Sequence, residues 1–155
     1  MADPISIGLM VASTVMSAVG QRNEGIAANQ EAQYKAKQAE VNAGQERASS
    51  QRAMVEELRQ MRLTQSRAQA VSAASGGGAL DSSVMDIIGD LETEGRYRAN
   101  VKKYEGEESA RDLETGAMLS RYQGKNAKKA GNMAAIGTIM SGGSKAAGMY
   151  KSAYG

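Results

Sequence analysis

Read as apolar and polar positions, the chain predicts two long helices and little else. From Gln21 to Ala74 one stripe can be followed through Ala28, Ala32, Ala36, Ala39, Ala43, Arg47, Ser50, Met54, Leu58, Met61, Gln65 and Ala68, forty residues in eleven steps, 3.64 per step. That is the period of a nearly straight α-helix rather than the ~3.5 of a left-handed coiled coil. The first half of the stripe is alanine, and the second half carries the larger Met54, Leu58 and Met61, with Val55 and Leu63 beside them. Alanine buries too little area to hold a lone helix against its ordering entropy, so this helix requires neighbours.

Ser75 to Gly78 (SGGG) then breaks the pattern, and Gly76, Gly77 and Gly78 allow the backbone to reverse. Asp81, Ser82 and Ser83 are N-cap candidates, and Ser83 followed by Asp86 resembles a capping box with Asp in place of Glu. Val84, Ile87, Ile88 and Leu91 form the densest apolar patch of the second helix, opposite Leu58, Met61 and Leu63 if the helices fold back on each other. A core at the hairpin tip, built from Leu58, Met61, Val84, Ile87, Ile88 and Leu91, is therefore expected. Tyr97, Val101 and Tyr104, then Ala110, Leu113, Ala117, Met118 and Tyr122, continue the stripe to about residue 129.

Two apolar stretches flank these helices. Ile5 to Val19 (ISIGLMVASTVMSAV) carries no charge, but Asp3 and Pro4 precede it where a secretory signal has a basic stretch, and it is shorter than the ~20 residues of a membrane-spanning helix. Residues 130–155 mix Gly and Ala with Met133, Ile136, Ile139, Met140 and Met149, the small-residue texture of closely packed or membrane-associated helices, and Gly142 and Gly143 are expected to interrupt them. The predicted fold is all-α: a long antiparallel helical hairpin of residues 21–74 and 83–129 joined by a Gly-rich turn at 75–82, with additional apolar helical segments at 1–20 and 130–155, in one oligomeric domain. Antiparallel helices bring both apolar ends together, away from the turn. Ile5, Ile7, Leu9, Met10, Val11, Val15 and Met16, with Met133, Ile136, Ile139 and Met140, are the expected contacts to partner copies or to a membrane.

Composition narrows the chemistry. The chain has no Cys and no His, which removes thiolate nucleophiles, disulfides, the commonest general base and the commonest transition-metal ligands. No catalytic, cofactor-binding or metal-binding residue can be nominated. SGGGALDSS lacks the lysine of a phosphate-binding loop, Ser82 and Ser83 have no His partner, and Asp86 and Asp90 share a helix face without an EF-hand pattern. A non-enzymatic protein without cofactors is expected. Phe and Trp are absent too, so the side chains that usually dominate a core are missing. Charge is uneven: residues 81–114 hold ten acids against five bases, whereas residues 115–155 hold six bases (Arg121, Lys125, Lys128, Lys129, Lys145, Lys151) and no acid. That asymmetry suits head-to-tail contact between copies, or loose contact of the basic end with DNA or phospholipid.

The central stretch SGGGALDSSVMDIIGDLETEGRYRANVKKYEGE resembles a block of the internal virion (core, or ejection) proteins of short-tailed bacteriophages, the podophages. The likeness lies in a Ser/Gly turn, a small-polar helix start with an aliphatic cluster, an acidic position at Asp90, a glycine step at Gly95 and a tyrosine at Tyr104 before a polar, Ala-rich helix. It covers about residues 70–130 by motif and the flanks by texture. The resemblance implies a structural protein of the capsid interior near the portal, which oligomerises, contacts the portal and larger internal proteins, and passes into the host envelope to assist genome ejection. Host membrane and packaged DNA, the latter through the basic C-terminal region, are further expected partners. The chain is shorter and poorer in aromatics than larger relatives, which favours a ring component over a self-sufficient channel. The alternative is a small secreted helical-hairpin effector or translocator that inserts into target membranes.

Overall fold

The structure is a computed structural model that describes residues 4–76 and 81–154, with side chains described over 8–76 and 81–152 except residue 10. Its two elements are helix α1, Pro4–Ala74, and helix α2, Ser82–Tyr154, packed against each other as a helical hairpin. Pro4 stands at the first helical position, where its missing N–H would have no partner in any case. With no other proline in the chain, α1 runs on for 71 residues. Over the described residues the apolar stretches, 4–20 and 130–154, are thus the ends of α1 and α2 rather than separate segments, and Gly142 and Gly143 do not interrupt α2. Glycine inside a helix costs about 1 kcal/mol relative to alanine, too little to end one that keeps its hydrogen bonds on both sides.

Glycine does end α1. Gly76 adopts φ +80°, in the left-handed region that only glycine enters readily, while the Ser75 N–H donates to the Val71 carbonyl at 3.0 Å. Gly77 and Gly78 lie outside the described residues. At the start of α2 the Asp81 carbonyl accepts hydrogen bonds from the N–H groups of Val84 and Met85, both at 3.0 Å. Asp81 is thus the residue ahead of the helix, and Ser83 lies inside the first turn rather than at the cap expected for it.

The chain divides into two compact units, one of residues 39–115 around the turn and one of residues 1–38 with 116–155. In the first, Gly95 faces Met61 and Gly106 faces Ser50; in the second, Gly124 faces Ala32, Gly131 faces Gly25 and Gly142 faces Thr14. The numbers in every one of these pairs sum to 156. Residues of α1 and α2 whose numbers sum to 156 therefore stand at the same height, which is the register rule of the hairpin.

The seam between the helices is made of the smallest residues. The buried apolar side chains are all alanine: Ala18, Ala36, Ala43, Ala99, Ala110, Ala117 and Ala135. Gly25, Gly106, Gly124 and Gly142 are buried among them. A β-carbon on Gly131 would come within 2.7 Å of the Gln21 carbonyl oxygen and 3.0 Å of the Gly25 α-carbon, so here the two backbones touch. Such proximity replaces bulky side-chain interdigitation with dispersion between main chains.

On α1 the seam follows the predicted stripe. Ala32 to Ala68 are all buried or half-buried at the expected positions, and only Ala28 departs, exposed while Gly25 and Asn29 take its place. On α2 it does not. The seam there runs through Gly95, Ala99, Gly106, Ala110, Ala117, Gly124, Gly131, Ala135 and Gly142, forty-seven residues in thirteen helical steps, and Tyr97, Tyr104, Met118 and Tyr122 are exposed.

Candidate assembly surface

The tip core expected from the sequence is only partly assembled. Leu58, Met61, Val84, Ile88 and Leu91 are half-buried, but Ile87 and Leu63 are exposed. The register explains why: Val84 stands level with Ser72 and Ile88 with Ala68, so the aliphatic cluster of α2 meets small residues instead of Leu58 and Leu63. Met61 and Leu91 border one shallow groove, and the Gln65 side-chain amide donates to the Ile88 carbonyl at 3.3 Å.

One charged cluster interrupts the alanine seam. Arg47, on the stripe of α1, donates from Nε and Nη2 to the two carboxylate oxygens of Glu107 at 3.1 and 3.3 Å, and from Nη1 to Glu114 at 2.7 Å. The planar guanidinium suits this fork, which ties one point of α1 to two carboxylates of α2 that lie two turns apart. Hydrogen bonding to Glu114 and then to Glu107 raises the Arg47 pKa further, and the bond from Arg47 holds the Glu114 carboxyl below its ordinary range. A carboxylate with a lowered folded-state pKa stabilises the fold above its unfolded range, and that contribution is lost as pH falls through the folded value. Arg47→Met is accordingly expected to lower the melting temperature at pH 7. The gap to the parent should narrow as the pH approaches 3. Thermal melts followed by circular dichroism across that range check both statements; a gap that stays constant with pH would count against the clamp.

In the unit of residues 1–38 and 116–155 the polarity is turned inside out. Its seam holds glycine, alanine and hydroxyls: Ser13, Thr14, Ser17, Thr138 and Ser141 line one groove with Gly142, and Thr138 Oγ1 lies 2.8 Å from Gln21 Oε1. Its large apolar side chains point outward. Of the contacts expected from the sequence, Leu9, Val11, Val15, Met16, Met133, Ile136, Ile139 and Met140 are all exposed, Met16 at 75% and Met140 at 71%. The side chains of Ile5, Ile7 and Met10 lie outside the described residues.

Outward positions are found two residues from seam positions, 200° round the helix. On α1 they include Met16 and Tyr34; on α2 they include Tyr122, Met133, Ile136 and Met140. In the unit of residues 39–115, taken by itself, the outward positions include Tyr97 and Tyr104 on α2 and Arg52 and Arg59 on α1. The seam of α2 is therefore not the stripe that carries Tyr97, Tyr104 and Tyr122. Its signal is present in the sequence as glycines and alanines recurring every four or seven residues, a pattern that only counts as a stripe if glycine is treated as a contact residue.

Charge divides with the units. Residues 1–38 and 116–155 carry nine bases against three acids, a balance of +6, and residues 39–115 carry ten bases against fourteen acids, a balance of −4. Among the described residues no group of three or more acidic side chains could hold a metal ion, and no helix is long and apolar enough to cross a membrane. The grooves along the seam are shallow and open, which suits packing better than the enclosure of a small molecule. Compared with models of known protein families, with curated proteins and with solved structures, the chain matches none.

Proposed function

We propose that this chain is a virion structural protein of a short-tailed bacteriophage, an internal core or ejection component near the portal that oligomerises and assists passage of the genome through the host envelope. The observation that carries the assembly half of this reading is the inverted polarity of the hairpin. Its seam contains no buried side chain larger than alanine among the described residues, while twenty-three large apolar side chains are exposed. The accessible surface is 11144 Å². A compact protein of 16.3 kDa exposes about 7,500 Å², roughly two thirds of that. A chain with such a surface is completed by neighbours.

The virion half rests on the resemblance of the turn and the start of α2, from Ser75 to Glu107, to the internal proteins of such phages. The basic balance of the terminal unit would also suit loose contact with packaged DNA. Mass spectrometry of purified particles is the test: the chain is expected in full particles and depleted from particles triggered to eject. Purified chain that stays monomeric by light scattering and releases dye from liposomes would overturn the proposal in favour of the secreted effector.

A further inference from the structure

The outward faces of the two helices match each other height by height. Level with each other by the register rule are Met16 and Met140, and Tyr34 and Tyr122, four side chains that are 65–75% exposed. In the other unit, taken by itself, Tyr104 stands level with Arg52 and Tyr97 with Arg59. Within one chain these partners lie on opposite sides of the hairpin and cannot meet. They do meet if a second copy stands beside the first, pointing the same way and without axial shift.

We infer that copies of this chain pack side by side in register, with α2 of one copy on α1 of the next. The inference rests on the assembly reading above and adds to it the partner face, the direction and the register. Methionine then meets methionine, aromatic meets aromatic, and two arginines lie over tyrosine rings, a favourable pairing of cation and π-face. Because α1 and α2 present different faces, the contact is heterologous, and repetition gives a ring or an open row. The area agrees. Each copy has two such faces, and interfaces of the obligate type bury about 1,000–2,500 Å² per partner, so two of them account for the ~3,700 Å² that this chain exposes beyond a compact protein of its mass.

Head-to-tail packing is the competing arrangement. It would bring the unit of +6 to the unit of −4. It would also press Met133, Ile136 and Met140 onto the outward row of α1 in the other unit, which carries Arg52 and Arg59, at the cost of desolvating those charges. Side-by-side packing places units of like net charge together, so salt, which shortens the screening length from about 10 Å at 0.1 M to 3 Å at 1 M, should strengthen it and would weaken the head-to-tail form.

The chain has no cysteine, which makes the test direct. The double variant Met16→Cys/Met140→Cys, its helicity checked by circular dichroism, should give on oxidation or with a short bis-maleimide a ladder of covalent multimers in steps of 16.3 kDa. The out-of-register pair Met16→Cys/Met118→Cys and the single variant Met140→Cys should give none. Association measured by light scattering should increase with salt. A ladder from the out-of-register pair, dimers from Met140→Cys alone, or association that weakens with salt would overturn the inference while leaving assembly itself standing. A chain that remains monomeric, or that floats with phospholipid vesicles instead of associating with itself, would overturn both.

Discussion

Gly131→Leu is expected to unfold much of the hairpin's terminal unit. A β-carbon at that position already collides with main-chain atoms of Gln21 and Gly25, and backbone cannot step aside as the end of a flexible side chain can. Overpacking of this kind costs about 3 kcal/mol or more. For a chain of this length that lowers the melting midpoint by roughly 6–12 °C. The sign reverses where the glycine faces open space. No heavy atom lies within 4 Å of a β-carbon built on Gly89 or Gly116, so alanine there should gain about 1 kcal/mol of helix propensity and raise the midpoint by ~2–4 °C. Circular dichroism melts at one fixed protein concentration read all three, since association shifts the midpoint by mass action. Equal responses at Gly131 and Gly116 would refute the close seam.

Ile136→Glu/Met140→Glu is expected to have the opposite character, leaving the hairpin's helicity intact and abolishing its self-association. Both side chains point away from the seam, at 58% and 71% exposure, so the isolated hairpin loses little. Burial of each against a partner contributes about 1.5–3 kcal/mol, and the pair together weakens association by roughly 10²–10⁴-fold. Sedimentation velocity across a concentration series measures this. A variant that associates as the parent does would remove the C-terminal stretch of α2 from the assembly surface.

How far the sequence reveals this fold depends on residue size. The stripe of α1 was legible because alanines and a few larger apolar side chains repeat at 3.64 residues per step, and eleven of its twelve positions lie at the seam. The seam of α2 was not legible because Tyr97, Tyr104, Met118 and Tyr122 outweigh glycine on any scale of hydrophobicity. What holds this seam is proximity of main chains, to which glycine contributes by having no side chain. The same weighting placed a core at the tip, where the aliphatic residues of α2 in fact stand level with Ala68 and Ser72. The ends were legible as apolar but not as continuous helix, because Gly142 and Gly143 read as a break. A glycine breaks a helix only where the chain must turn, as it does at Gly76. Neither the Arg47 clamp nor the matching of outward rows can be read before the register of the two helices is known.

The glycines that face open space give the molecule an uneven response to time. Gly137, Gly143 and Gly148 fall within the last third of α2 with nothing packed over them, and each weakens the local helix without any compensating contact. Amide protons there should exchange with deuterium through frequent local opening, while those around Ala36 and Ala117 await larger excursions. A neighbouring copy laid over that stretch would close it, so exchange in the last third of α2 becomes a clock that reads whether a given chain stands alone or in company.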